Sequence, residues 1–443
     1  MATRTFPLNR ARAFWLHRQG LATARGGAID QVVASTGWLR TLGGVDVYLA
    51  ARARSPGMRR ADLDAAVSAG RLKVSMAVRG CIYLVPAAEV PTLLAEVTEG
   101  WRKGAARDLE KVGSSWKVID RLADAIVGVL GSQALTTDAI RRALPDGAIK
   151  SFGDAGKQAG VSSPLPIALR VLELAGRIER SLEGGRLDTE RYQWRVPAKP
   201  LAAASTDPLV RRARIAEAFL AQAGPATLGQ LQCWTTWSQR DARAALEGVE
   251  TATVAITGMA DDALILKRDL DALEATRDPA GTVSLLSFED NYLVLHDGPG
   301  IVADPRHHGR RVEQWGSSAA ATLGTAQHLA HRTIILDGMV AGMWEVDPAG
   351  GGGVWQTFDP VPTKQKDALA AAVDDTARFL MTDVGHARAF SLDTMEEVQR
   401  RADVIKRGAK PAKAAKPVAK KSTKTTARAA APAKKSTAKK KKR

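Results

Sequence analysis

The sequence predicts an α+β protein: three helical units in series, each closed by a hairpin in the winged-helix manner, then a small β-barrel-like domain and a disordered basic tail. Three observations carry this expectation. Helical periodicity gives way to alternation near residues 71, 177 and 251. From residue 282 the chain becomes rich in β-branched and aromatic residues. After residue 403 it is almost purely Lys, Ala, Pro, Ser and Thr.

The second unit, 116–197, shows the plan most clearly. KVIDRLADAIVGVL repeats its apolar residues at three and four, and LTTDAIRRAL follows Thr136 and Thr137, either of which can cap a helix. SSPLPIALRVLELAGRI starts a third helix with Ser163 as N-cap and Pro164 in the first turn. RIERSLEGGRLDTERYQWRV then alternates, with Gly184-Gly185 between two strands. In such a unit the third helix faces a DNA groove and the hairpin lies along the backbone.

The first unit, 1–100, opens with LNRARAFWLHRQGL, whose Ala11, Phe14, Trp15 and Leu21 are core candidates. AIDQVVASTGWL, VDVYLAARAR and ADLDAAVSAG give three more helices. Asp30 supplies charge at the start of the first of these, and Gly70 closes the last. RLKVSMAVRGCIYLVP reads as a hairpin with Arg79 and Gly80 at its tip. The third unit, 209–274, has a helix stopped by Gly224-Pro225. Capping signals follow at Thr227-x-x-Gln230 and Ser238-x-x-Asp241, then two strands. In the domain 282–400, TVSLLSFEDNYLVLHD, RTIILDGMVAGMWEVD and GVWQTFDP read as β. Asp337-Gly338 marks a tight turn, and TKQKDALAAAVDDTARFLM is a helix suited to covering a sheet edge.

The net charge of +17 is unevenly spread. Residues 406–443 hold 16 Lys or Arg and no acid, so the preceding 405 residues carry 48 basic against 47 acidic groups. The body is nearly neutral, and any basic face on it must be local. The tail, 404–443, cannot bury enough apolar surface to order itself. Its Lys410, Lys413, Lys416, Lys420, Lys421, Lys424, Arg428, Lys434, Lys435, Lys439, Lys440, Lys441, Lys442 and Arg443 suit phosphates. A solubilising or membrane-surface role is the alternative for such a segment. No apolar run is long enough to cross a bilayer and no signal peptide is evident. With only Cys81 and Cys233, a disulfide framework is excluded and a reducing, cytoplasmic setting is expected, while the tail resembles those of linker-histone-like bacterial nucleoid proteins and implies nucleoid association.

Few side chains suggest chemistry. His307 and His308 lack a third ligand, so no metal is expected, nor any cofactor. Glu289 and Asp290, if in a strand, face opposite ways. Trp234 and Trp237 share a helical spacing that usually means core. Gly350–Gly353 is not followed by Lys-Ser/Thr, which excludes a phosphate loop. Arg79 is a candidate phosphate contact.

Three segments bear a family resemblance: AVRGCIYLVPAAEV at 77–90, FEDNYLVLHD at 288–297 and IILDGMVAGMW at 334–344. Their order and spacing resemble the AlkZ-like winged-helix family, which includes glycosylases that unhook interstrand crosslinks. The resemblance covers about 8–382. It implies three tandem winged helices and a C-terminal β-barrel forming a curved channel for double-stranded DNA.

Glycosylase members of that family carry Gln-x-Gln or Gln-x-Asp in the first unit. There an amide or carboxylate holds the water that attacks the sugar. Here Trp38-Leu39-Arg40-Thr41-Leu42 stands at that place. Arg40 and Leu42 occupy the two functional positions, a fixed cation and an alkyl group. The Gln230-Leu231-Gln232 triplet lies in the third unit, where capping already accounts for Gln230. The expectation is a monomeric DNA-binding protein on a glycosylase scaffold without the usual Gln pair, aided by its tail. The alternatives are an active glycosylase drawing on Asp46 or Glu289, and a protein-interaction scaffold.

Overall fold

Short apolar-periodic runs separated by Gly and Pro fold into helices and, among the described residues, five small sheets, so the architecture is mixed α+β. The computed structural model describes residues 3–23, 26–189, 192–316 and 319–408. The tail candidates from Lys410 onward lie outside the described residues.

In the 116–197 stretch, helix Trp116–Leu130 buries Ile119, Leu122, Ala123, Ile126 and Leu130, as its periodicity requires. The cap of the next helix is Thr136, whose hydroxyl accepts from the Ala139 N–H at 3.2 Å. Pro164 opens helix Pro164–Leu174; Ser163 stands at the cap position, but its hydroxyl makes no capping bond. Strands Glu179–Leu182 and Tyr192–Arg195 pair with Leu182 opposite Tyr192. The two glycines therefore lie in a short helical turn, Glu183–Gly185, that opens a longer connection, and not in a two-residue turn. The connection is long because it is anchored elsewhere. The Leu187 N–H donates to the Tyr48 hydroxyl at 2.8 Å. Asp188 accepts from Arg186 at 2.8 Å and contacts His386 at 2.9 Å. Burial opposes ionisation of Asp188, but Arg186 and His386 more than offset it and hold the carboxyl well below the usual range.

Upstream, helices Ile29–Ala34, Asp46–Arg54 and Arg60–Ser68 surround a sheet ordered Leu39–Arg40, Ile82–Pro86, Leu72–Met76. Helix Val90–Lys111 then runs unbroken past residue 100 and gives Leu109 to the apolar cluster of the 116–197 stretch. Gly100 and Gly104 lower its intrinsic propensity and hide its length in the sequence.

Helices Pro208–Ala223, Leu228–Thr235 and Gln239–Glu247 precede strands Thr251–Thr257 and Ala260–Leu266. Both capping signals form. Thr227 and Gln230 exchange bonds at 2.8 and 3.1 Å, and Ser238 accepts from Asp241 N–H at 3.1 Å. Trp234 is buried, but Trp237 lies beyond the helix end and is only partly buried. The third strand of this sheet is Arg4–Pro7, parallel to Thr251–Thr257. The residue 1–100 stretch thus lends its first strand to a hairpin some 250 positions away, a pairing that four residues of local pattern could not announce.

The C-terminal sheet runs in open order: Val283–Leu286, Arg332–Leu336, Met339–Asp347, Gly352–Thr357. Asp337 and Gly338, at φ 50° and 82°, form the expected two-residue turn. The β reading of FEDNYLVLHD is corrected: its Asn291–Val294 is a helical turn, capped by Asp290 through the Tyr292 N–H at 2.9 Å. Helix Thr363–Arg378 contacts both Val283–Leu286 and Gly352–Thr357, the two edge strands. It therefore crosses the face of the sheet instead of covering one edge.

Buried apolar clusters cross these stretches. Val32, Tyr48 and Leu84 pack with Trp344, Leu369 and Phe379, and Trp15 packs with Ile256 and Ile335. Residues 1–409 form one compact unit. Within it His296 is 2% exposed, its ring centroid lies 4.1 Å from that of Trp15, and its Nδ1–H donates to the Tyr292 carbonyl at 2.8 Å. Burial pushes its pKa down to about 4. An unfolded histidine titrates near 6.5. The neutral form therefore contributes stability that is complete above pH 6.5 and is lost as pH falls towards 4. Urea unfolding at pH 7 and pH 4.5 is expected to show a loss of about 2–3 kcal/mol from this residue. His296→Gln should remove that part of the slope.

Candidate functional site

The segment Phe288-Glu289-Asp290-Asn291 positions the site, and each side chain goes to a different element. Phe288 packs on Trp315 and Phe390, at centroid distances of 5.3 and 6.0 Å. Asp290 takes a bidentate pair from the buried Arg54 at 2.7 and 2.8 Å. Asn291 Nδ2 donates to the carbonyls of Thr36 and Gly37 at 2.9 and 3.1 Å. Those bonds hold the strand Leu39–Arg40 beside Glu289.

Glu289 lies outside any strand, at φ 57°, a left-handed conformation that few bulky residues adopt. Its side chain is 2% exposed. One carboxylate oxygen is ion-paired with Arg40, and the other contacts His328 Nδ1 at 2.6 Å. Arg40 also reaches Cys81 Sγ at 3.7 Å. Leu42 is half-buried, and its carbonyl accepts from the Ser391 N–H at 2.9 Å.

The site candidates therefore divide. Arg40 and Glu289 meet. Asp46 does not join them: it is buried at the start of helix Asp46–Arg54 and accepts from Arg332 Nε at 2.8 Å. Burial raises the Asp46 pKa to about 6, with Arg332 pulling the other way. Arg79 is in the hairpin turn as expected, at φ 59°, and lines a cavity of about 430 Å3 with Trp101, Arg212 and Trp237. Burial tends to lower its pKa, but Tyr83, Cys81, Glu289 and Cys233 outweigh that and raise it.

The sequence reading missed His328, a lone histidine outside any motif. Cys233 is no ready nucleophile: burial and the Asp297 carboxylate push its pKa up to about 11. His307 contacts Asp359 at 3.0 Å and His308 contacts the Gly300 carbonyl at 3.0 Å. No cluster of metal-ligating side chains occurs among the described residues.

The arrangement brings a guanidinium, an imidazole and a buried carboxylate together. A water attacking a sugar carbon requires an acceptor within hydrogen-bond reach. Arg40 offers donors only, the Leu42 side chain offers nothing, and each oxygen of Glu289 already has one partner.

The model of a known family, DNA glycosylase AlkZ-like, matches residues 44–379. The chain belongs to the AlkZ-like DNA glycosylase family. Its scaffold is glycosylase-like, in keeping with DNA binding and repair. Among solved structures, the AlkZ-like chain is similar to Streptomyces sahachiroi DNA glycosylase AlkZ. The TM-score is 0.67 and the identity 20%, over 87% of this chain and 98% of that one. That likeness concerns the fold. No curated protein matches the sequence significantly. No helix among the described residues is long and apolar enough to cross a membrane.

Proposed function

We propose that this AlkZ-like protein grips duplex DNA without excising a base, and that its tail adds affinity. The observation that carries this reading is the Arg40–Glu289–His328 contact. The two positions that the family resemblance allots to water activation hold a donor-only cation and an alkyl side chain. The one carboxylate beside them is 2% exposed and bound on both oxygens. Support for the DNA half of the reading comes from the family, and from helices followed by hairpins at 116–197, at 209–274 and within 1–100. These are winged-helix units in our reading, with a β-domain over 282–400 closing the channel. Dispersed cations in 404–443 suit phosphate contact through counterion release. The protein acts as a monomer in the nucleoid.

Retardation of an undamaged duplex at low salt tests the binding. A Kd in the micromolar range or tighter at 50 mM salt is expected. A chain that leaves duplex unshifted at that salt would instead be the protein-contact scaffold.

A second reading has one observation behind it. The Glu289–His328 contact could orient a water if Arg40 swung away, making Glu289 the base of an active glycosylase. In that case cleavage persists in Arg40→Ala and disappears in Glu289→Gln. Asp46 is the weaker candidate because Arg332 claims it.

A further inference from the structure

Leu392 is 86% exposed, far more than any other large apolar side chain among the described residues. A single exposed leucine is ordinary. This one is not on a loose loop. The Asp393 carboxylate next to it is buried, accepts from the Ala389 N–H at 2.7 Å, and is held bidentately by Arg401 at 2.7 and 2.9 Å. The preceding residues are stitched to the first sheet's neighbourhood. Ser391 N–H donates to the Leu42 carbonyl and Val45 N–H to the Arg388 carbonyl, each at 2.9 Å.

Gly43 and Gly44 allow this approach. A Cβ on Gly44 would stand 2.3 Å from the Ala389 carbonyl carbon. Gly43, at φ 76°, would bring one to 3.1 Å from the Thr189 carbonyl. Three elements therefore converge beside Leu42: the turn after strand Leu39–Arg40, the long hairpin loop holding Thr189, and the loop carrying Leu392. Phe390, two residues before Leu392, belongs to the ring cluster with Phe288 and Trp315, its ring 6.0 Å from each.

From this geometry we infer that Leu392 is a wedge that enters the base stack of the bound duplex and partly unstacks one step. The inference rests on the DNA-binding reading above. An apolar side chain standing in water gains by moving between base pairs, and proteins that kink DNA insert leucine in this way. The fixed loop makes insertion favourable, because little conformational freedom remains to be lost on binding. The wedge sits beside the Arg40–Leu42 position, so the distorted step lies over the place where the family's chemistry is sited.

The test uses the full chain and duplexes carrying 2-aminopurine at successive positions, with retardation measured in the same samples. Wild type is expected to raise the fluorescence several-fold at one step. Leu392→Ser should abolish the rise and weaken binding about 10-fold, with the slope of log affinity on log salt unchanged, because no phosphate contact is lost. Leu392→Phe should retain the rise. At an exposed position both variants should keep the wild-type thermal midpoint. Binding with no fluorescence change at any position overturns the wedge and leaves the DNA reading standing, as does an undiminished rise with Leu392→Ser. Absence of retardation by the wild type overturns both.

Discussion

A chain ended after Gly408 is expected to bind duplex DNA more weakly and with a much shallower salt dependence. The removed residues carry 14 Lys or Arg and no acid. With about half of those charges on phosphates, the slope of log affinity against log salt should flatten by about 6. The cut falls there because Lys406 belongs to helix Met395–Gly408 and pairs with Asp347 at 2.6 Å. Anisotropy titrations at four or more salt concentrations read the slope directly. Equal slopes for the two chains would show that the tail makes no phosphate contacts.

Arg332→Ala is expected to cost about 3–5 kcal/mol of folding stability, enough to shift a denaturation midpoint strongly. Arg332 is 1% exposed and sits between Asp46 and Glu345, with a further bond from Nη2 to the Ala387 carbonyl at 2.9 Å. Glu345 also takes Arg401 at 2.8 Å, and Arg401 takes Asp393. Removing the central cation leaves Asp46 without its ion-pair partner and Glu345 with Arg401 alone. The network joins the first helical stretch to the C-terminal sheet, so its loss loosens the joint that presents Leu42 and Leu392. Arg306→Ala offers the contrast. That pair with Asp304 is exposed to water, and its midpoint should stay at the wild-type value. Urea titrations of the two variants side by side make the comparison.

Much of the local structure was legible because it is locally encoded. The Thr227–Gln230 capping box, the Asp337-Gly338 turn and the amphipathic run from Trp116 to Leu130 each carry their signal within a few residues. What stayed hidden depends on distant partners. Arg4–Pro7 is a strand only because Val254 and its neighbours receive it. The connection that holds Leu187 and Asp188 is long only because Tyr48 and His386 anchor it. At the site, the family resemblance points to Arg40 and Leu42, and the sequence offers Glu289 as a candidate carboxylate. That Arg40 and Glu289 neutralise one another follows from Asn291 bonding to carbonyls some 250 residues upstream, which no spacing rule announces. His328 had no motif around it. Asp46, the other candidate carboxylate, is buried against Arg332.

In the function proposed above, the scaffold holds DNA while its hydrolytic locus is closed. One assay bears on that most directly: incubate the full chain with a duplex carrying alkylated purines at low salt, then follow retardation and alkali-labile breaks together. A shifted duplex is expected, with breaks at the background level of protein-free DNA. Breaks that accumulate with time in wild type and vanish in Glu289→Gln would contradict it.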